Sequence, residues 1–265
     1  MTKTKTKTKT IVMIHGAWVT PECWSQFRSY YEAKGYRCLA PAWPCVDRPV
    51  DELRRRPDPA FAKTTIKSLV DHFDRIVRAL PEPPILIGHS FGGLIVQMLA
   101  NRGLGAAAIA IDPGPPRGVL PSLTAVRSAL PVLLAWMGWR RMLTMSFESF
   151  AATFANALPQ LEQRPAYDQH VVPAPGRIYF QAALGLGNSV NFSNPNRPPL
   201  LLVAGEKDRT STPSMARAMC KKHSRSPIPV DLITFPGRSH WLIAEPGWQD
   251  VARKALEWAE AQVRK

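Results

Sequence analysis

Residues 88–92, Gly-His-Ser-Phe-Gly, place a serine between two glycines in the pattern G-x-S-x-G. An apolar run, residues 85–87, precedes the pattern, and residues 94–101 follow it without a helix breaker. This order is typical of a buried strand that turns sharply into a helix. Only small residues fit beside the serine in such a turn, and its strained backbone exposes the serine Oγ atom at the sheet edge. We therefore predict that Ser90 is a nucleophile.

A serine hydroxyl is a poor nucleophile until a base takes its proton. His240 is the favoured base, because it lies in a Gly/Ser-containing loop after the last predicted strand and can reach over the sheet edge. His89 is adjacent to Ser90, but in such a turn its side chain points away from the Oγ atom. His15 ends the first predicted strand, and we interpret it as support for the neighbouring loop.

The base requires a carboxylate that holds its ring in one tautomer. Asp208 follows the predicted strand at residues 200–203 and precedes His240, which matches the chain order Ser, Asp, His. Asp112 follows the preceding strand and is the alternative acid, although a turn residue before Pro113-Gly114 is the simpler interpretation. Glu206 is expected to face solvent.

An ester intermediate also needs two backbone N–H groups directed at its negative oxygen. Phe91, the residue after the nucleophile, is predicted to supply one of them. The second is expected from Ala17 in the loop at residues 15–18, because Gly16 permits a close backbone approach.

The elements around these residues alternate between short apolar strands and amphipathic helices. This order predicts an α/β fold with a mostly parallel central sheet flanked by helices. The core is assigned to residues 10–114 and 199–265. Residues 115–198 contain helical patterns but no clear strand, so they are predicted to form an inserted helical cap. Residues 1–9 are predicted to be a basic tail, and their Lys/Thr alternation fits either a disordered segment or an extension of the first strand.

The predicted cap is rich in aromatic residues and methionines, which more often pack a cap onto its core than bind a ligand. A cap above Ser90 must nevertheless wall the pocket, so a hydrophobic acyl or alcohol group is expected in the substrate. Trp18, Trp136 and Trp241 are predicted to contact it. Residues 129–139, followed by Arg140-Arg141, have a second interpretation as a lipid-docking face, which the lack of a sustained cationic face disfavours.

The chain has 265 residues, with a formal net charge of +14. The positive charge is scattered and no nucleic-acid-binding motif accompanies it, so nucleic acid is not expected as a partner. The four cysteines show no metal-binding spacing, and no metal is predicted. The sequence contains neither a signal-peptide pattern nor an apolar run of membrane-spanning length, and a cytoplasmic location is expected. The oligomeric state stays open.

These motifs resemble those of the α/β-hydrolase superfamily. The resemblance is carried by His-Gly-Ala-Trp at 15–18, Gly-His-Ser-Phe-Gly-Gly at 88–93, Gly-Glu-Lys-Asp at 205–208 and Gly-Arg-Ser-His at 237–240. The loop at 15–18 is similar to that of small plant methyl-ester esterases and the related hydroxynitrile lyases. The lyases carry Thr where Gly16 stands and Lys where Trp241 stands, so the chain departs from the lyase pattern at both positions.

The resemblance implies a cofactor-independent serine hydrolase that uses Ser90, His240 and Asp208. A carboxylic ester is the expected substrate, and its identity stays open. A lactonase, a thioesterase, a C–C hydrolase and an acyltransferase use the same machinery, since fold does not select among them. Product analysis with an added alcohol would separate transfer from hydrolysis. A small-molecule receptor on a hydrolase scaffold is the alternative outside the enzymes, and the intact triad disfavours it.

Overall fold

The computed structural model describes residues 8–263. Most of the predicted basic tail therefore lies outside the described residues. The described strands are β1 (Thr10–Ile14), β2 (Arg37–Leu39), β3 (Ile85–His89), β4 (Ala107–Ile111), β5 (Met142–Leu143), β6 (Ala174–Pro175), β7 (Leu200–Gly205) and β8 (Val230–Phe235). The α-helices are α1 (Ser25–Glu32), α2 (Val50–Arg55), α3 (Ile66–Arg78), α4 (Phe91–Asn101), α5 (Leu123–Leu133), α6 (Phe147–Ser149), α7 (Gln160–His170), α8 (Gly176–Leu184), α9 (Pro213–His223) and α10 (Trp248–Val263).

Six of these strands form one parallel sheet in the order β2-β1-β3-β4-β7-β8. Strands β1, β3, β4 and β7 are buried along their whole length, as expected for continuous apolar runs covered by helices on both faces. The predicted fold class, a parallel sheet flanked by helices, is thereby confirmed.

Helix α3 shows how the sequence specifies one of the covering helices. Its apolar residues recur at helical spacing and are buried on one face: Ile66, Leu69, Val70, Phe73 and Val77. The Thr65 and Ser68 side chains cap its first turn reciprocally, because each accepts a hydrogen bond from the other residue's backbone N–H. The helix is thus fixed at its start by two hydrogen bonds and along its length by burial.

Residues 112–199 leave the sheet after β4 and return to it at β7. They contain α5 to α8 and the two-residue strands β5 and β6, which pair antiparallel with each other. The sequence patterns indicate helical pieces over residues 126–144 and 147–157 and show no clear strand. In the structure α5 ends at Leu133, β5 and β6 pair within this segment, and Met137 adopts a left-handed φ of 51° beyond the end of α5.

Three buried histidines make the stability of the fold sensitive to acid. Burial lowers the pKa of His15, His170 and His223 from the ordinary value of 6.5 to about 4. Between these two values the three rings bind more protons in the unfolded chain than in the folded chain, so their contribution to stability rises with pH. We expect the free energy of unfolding to fall as pH drops from about 6.5 to about 4, by at most ~1.4 kcal/mol per pH unit for each histidine.

Urea denaturation at stepped pH measures this dependence. The variant His223→Gln removes one titrating group and should give a shallower slope than the wild-type protein. An equal free energy of unfolding at both ends of the window would contradict the prediction.

Candidate active site

Ser90 lies between the end of β3 and the start of α4. The turn requires glycine two residues before it, at Gly88, and two residues after it, at Gly92. The Ser90 φ of 57° is in the left-handed region, which costs a non-glycine residue on the order of 1–3 kcal/mol. A Cβ atom on Gly92 would collide with the Ile14 backbone, and one on Gly88 would collide with the Gly92 backbone. The two glycines predicted from the sequence therefore let β1, β3 and α4 close tightly around the serine.

His240 and Asp208 form a fully buried pair beside this turn. The His240 Nδ1 atom lies 2.7 Å from the Asp208 Oδ2 atom, and neither side chain is exposed. The other Asp208 oxygen accepts hydrogen bonds from the Thr210 and Ser211 N–H groups, at 2.6 and 2.9 Å. These contacts fix the carboxylate and place the ring proton on Nδ1.

The opposite nitrogen of His240 remains available as a base. Nε2 is buried and has no hydrogen-bond partner among residues 8–263. His240 and Ser90 line the same cavity. With its proton on Nδ1, the ring keeps an Nε2 lone pair that can accept a proton.

Asp112, the alternative acid, lies next to Asp208 at the end of β4. Its Oδ1 atom accepts the Gly205 N–H at 2.7 Å, whereas its buried Oδ2 atom accepts no hydrogen bond from the described residues. Burial, and then the negative charge of Asp208, raise the pKa of Asp112 well above its ordinary value. Burial and the neighbouring Asp208 therefore favour the protonated form of Asp112.

His89 has a structural role that follows from its position after β3. Its Nε2 atom donates a hydrogen bond to the His240 carbonyl oxygen at 2.7 Å. Burial lowers the pKa of its ring well below the ordinary value, so the ring is neutral. The side chain does not line the cavity that Ser90 lines, consistent with the expectation that it points away from the Oγ atom.

Glu245 is a further buried acid in this region, and sequence reasoning missed it. Its two oxygens accept hydrogen bonds from the Ser239 N–H at 3.0 Å and from the Ser239 hydroxyl at 2.6 Å. The Ser239 hydroxyl also accepts the Trp241 N–H at 3.2 Å. Glu245 thus holds both neighbours of His240, and the acid five residues after the histidine is the signal that could have revealed it.

His15 stabilises the loop at residues 15–18 through hydrogen bonds at both of its ring nitrogens. The His15 Nδ1–H donates to the Gly16 carbonyl at 2.8 Å, and Nε2 accepts the Trp43 N–H at 3.1 Å. Because a trans peptide points its C=O and the following N–H in opposite directions, the Ala17 N–H points away from the His15 ring. A Cβ atom on Gly16 would lie 2.8 Å from Ser90 Cβ, so this loop approaches the serine closely.

A cavity of about 550 Å³ opens above Ser90. Trp18 and Phe91 line it, and so does Tyr179, which the sequence patterns did not single out. The Tyr179 ring stacks on Trp18 with centroids 4.6 Å apart and meets Phe91 edge-on at 4.9 Å. Apolar side chains form much of the remaining wall, including Leu94, Val119, Ala125, Leu133, Met145 and Met215.

Two of the predicted substrate-binding residues do not line this cavity. Trp136 lies on the outer surface with 81% of its area exposed, because α5 ends before it and the chain turns outward. Trp241 is buried instead against Phe154 and His170. Neighbouring residues of an extended turn point in different directions, so adjacency to His240 does not place Trp241 in the pocket.

The described residues also contain one cluster of possible metal ligands. One ligand atom each from His89, Asp112 and His240 lies within 4.8 Å of the others. His89 and His240 each already use one ring nitrogen, for the His240 carbonyl and for Asp208. We assign the cluster to the hydrogen-bonded support of His240.

Comparisons with known proteins agree with this architecture. Three solved structures align over nearly the whole chain, and at these identities the likeness establishes the fold alone. A monoacylglycerol lipase of Paleococcus ferrophilus has 18% sequence identity and a TM-score of 0.66, and the alignment covers 96% of this chain and 94% of the other. A pyrethroid hydrolase from Sphingobium faniae JZ-2 has 20% identity and a TM-score of 0.67, with 96% and 98% of the two chains covered. The methylesterase MES16 from Arabidopsis has 16% identity and a TM-score of 0.68, with 95% and 99% covered.

A comparison with curated protein sequences found no match. The model of one protein family, described as the alpha/beta hydrolase family, matches residues 11–254. This match covers every strand of the central sheet except the first residue of β1, and all the site residues described above. The chain belongs to the alpha/beta hydrolase family.

Proposed function

We propose that the protein hydrolyses a carboxylic ester of a hydrophobic small molecule through an acyl-enzyme. The observation that carries this proposal is the buried Asp208–His240 pair, whose Nε2 atom has no partner among the described residues and whose histidine lines the same cavity as Ser90. The similar structures of a monoacylglycerol lipase and of the methylesterase MES16 support the same reaction class.

In the first half of the reaction, the Ser90 Oγ atom attacks the ester carbonyl carbon while His240 Nε2 takes the hydroxyl proton. The C=O bond becomes a C–O⁻ single bond in the tetrahedral intermediate. The Ala17 and Phe91 N–H groups stabilise that oxyanion, and Asp208 stabilises the imidazolium. The carbonyl then re-forms, and the alcohol leaves with the proton from His240.

In the second half, His240 Nε2 takes a proton from water as the water oxygen attacks the acyl-enzyme carbonyl. The same two N–H groups hold the second oxyanion. Its collapse breaks the bond to Ser90 Oγ, which recovers its proton from His240, and releases the carboxylic acid. The proposed reaction needs no metal or organic cofactor.

The cavity supports a hydrophobic acyl or alcohol group. Its volume of about 550 Å³ lies within the range of small-molecule sites, and its wall is mainly apolar. We propose residues 115–198 as the cap, because this segment supplies much of that wall from α5 and α8. Ser128, Thr153 and Thr210 add a few polar groups that an ester's second oxygen or a polar substituent can reach.

A fluorophosphonate probe tests the proposal, because it forms a covalent adduct only with an activated serine. Wild-type protein and the Ser90→Ala variant are incubated with the probe and weighed by intact mass spectrometry. We expect one adduct on the wild-type protein and none on the variant. A panel of 4-nitrophenyl esters of increasing chain length then defines the acyl preference.

The outcome that contradicts the proposal is a folded wild-type protein that takes no adduct. Thermal unfolding of both proteins must accompany the labelling, so that an unfolded sample is recognised. If the protein takes the adduct but hydrolyses none of the esters, Ser90 is an activated serine and the proposal of ester hydrolysis is rejected.

A further inference from the structure

Nearly all the exposed large apolar side chains of the described residues lie in one region around the cavity mouth. We define the mouth patch as Leu120, Leu123, Val126, Leu130, Leu134, Trp136, Trp139, Leu184 and Leu186, which are 37–86% exposed. Leu161, on α7, is the only other large apolar side chain found exposed among residues 8–263. A contiguous apolar patch of this kind marks an interaction surface more often than chance exposure does.

Helix α5 carries the centre of the mouth patch, and it is apolar on both faces. Ala125, Ala129 and Leu133 line the cavity, and Val132 is buried. Leu123, Leu130 and Leu134 share the opposite face at spacings of seven and four residues, and solvent covers 86%, 38% and 78% of them. A helix that places these leucines outward gains nothing from them in the isolated protein.

The cavity opens within the same patch. Leu120, Val126 and Leu184 belong both to the patch and to the cavity wall. Helix α8 packs on α5, and the Phe180 ring of α8 meets Trp139 edge-on at 5.7 Å. A molecule covering the mouth patch would therefore also cover the entrance above Ser90.

The charged side chains on the segments that carry the mouth patch have a single sign. Residues 113–147 and 169–205 contain no Asp or Glu, and Glu206 lies in the adjoining groove with Ser122 and Thr124. Arg117, Arg127, Arg140 and Arg141 are exposed there, and none of them forms an ion pair within the described part of the chain. Apolar side chains flanked by cations match a bilayer whose head groups are anionic.

A second copy of the chain fits the patch less well. A two-fold interface would bring the same patch from both copies together, and its arginines would face arginines without a carboxylate between them. We infer that the mouth patch is a docking surface for an anionic phospholipid bilayer. On the proposed function, an ester dissolved in that bilayer then has a direct path to the cavity.

Vesicle sedimentation of the full chain tests the inference, with phosphatidylcholine vesicles that contain or lack phosphatidylglycerol. The test variant Leu123→Ser/Leu134→Ser changes two patch residues outside the cavity wall, and the matched control is Leu161→Ser. We expect the wild-type protein to bind the anionic vesicles, and the double variant to bind at least about tenfold less tightly. The control should bind as the wild-type protein does.

A charge series makes the test independent of the leucines. Arg127→Glu/Arg140→Glu should weaken binding at least about fivefold for each reversed charge, and added salt should weaken it further. Arg225→Glu, at an exposed site away from the patch, is the matched control. Hydrolysis of a short soluble ester is measured in parallel. If the wild-type protein binds the vesicles but does not hydrolyse the ester, only the proposed function is rejected.

Three results would overturn the inference. They are a wild-type protein that stays in the supernatant, a double leucine variant that binds as the wild-type protein does, and a dimer in light scattering that this variant dissociates. The second result would assign binding to the basic residues near the amino terminus, which every variant keeps. Unfolding curves of all variants show that the comparison is made between folded proteins.

Discussion

Replacing Ser90 with alanine should lower kcat for ester hydrolysis by a factor on the order of 10⁴ to 10⁶. The change removes the only atom that forms a covalent bond to the substrate in the proposed mechanism. Substrate binding should persist, because the apolar wall and the backbone N–H groups are untouched. Stopped assays with a 4-nitrophenyl ester measure the loss, and inhibition by a product acid measures the remaining affinity.

The control for this change is Ser224→Ala, at an exposed site after α9. It should keep the wild-type rate. If Ser90→Ala retained more than about a tenth of the wild-type rate while folded, Ser90 would not be the nucleophile and the mechanism above would be wrong.

The second large effect is expected from the acid that orients His240. Asp208→Asn should lower kcat by about 10⁴, because an amide NH₂ facing Nδ1 favours the tautomer with the proton on Nε2. In that tautomer the ring has no lone pair to take the Ser90 proton. The ratio of kcat values between wild-type protein and variant measures the effect at a pH where the wild-type rate is maximal.

Asp112→Asn is the matched control, since it changes an equally buried acid on the neighbouring strand. Burial favours the protonated form of Asp112, and its Oδ1 atom accepts a backbone N–H that an amide oxygen can also accept. We expect a loss of less than about tenfold. A larger loss for Asp112→Asn than for Asp208→Asn would exchange the roles assigned to the two acids.

The sequence was sufficient for the parts of the site that depend on local turns. Ser90 lies in a turn whose glycines are specified by close contacts, and Asp208 and His240 each follow a strand of the parallel sheet. Because the carboxyl ends of parallel strands meet at one edge, the order of elements alone brings these residues together.

The pocket wall was harder to predict, because it depends on where a helix ends. The sequence patterns continue as helical past Leu133, where α5 ends in the structure. Trp136 lies beyond that end and is exposed on the surface rather than placed in the pocket. Tyr179 was missed because its contacts with Trp18 and Phe91 join residues distant in the chain.

Glu245 shows a third limit of sequence reasoning. Its motif is no more than an acid after a loop, and its role appears only when the Ser239 N–H and hydroxyl are seen to donate to it. Buried support of a catalytic loop has no fixed spacing, since any nearby element can provide it.

The pairing of β4 with β7 has a consequence for how the protein is made. The two strands are neighbours in the sheet, but residues 112–199 separate them in the chain. At synthesis rates of about 5–20 residues per second, the ribosome needs on the order of 10 s to deliver β7 after β4. During that interval the apolar edge of β4 has no strand beside it, so a nascent chain exposes a site for wrong pairing. Early folding of the intervening helices shortens the span that must close and brings the two strands within reach of each other.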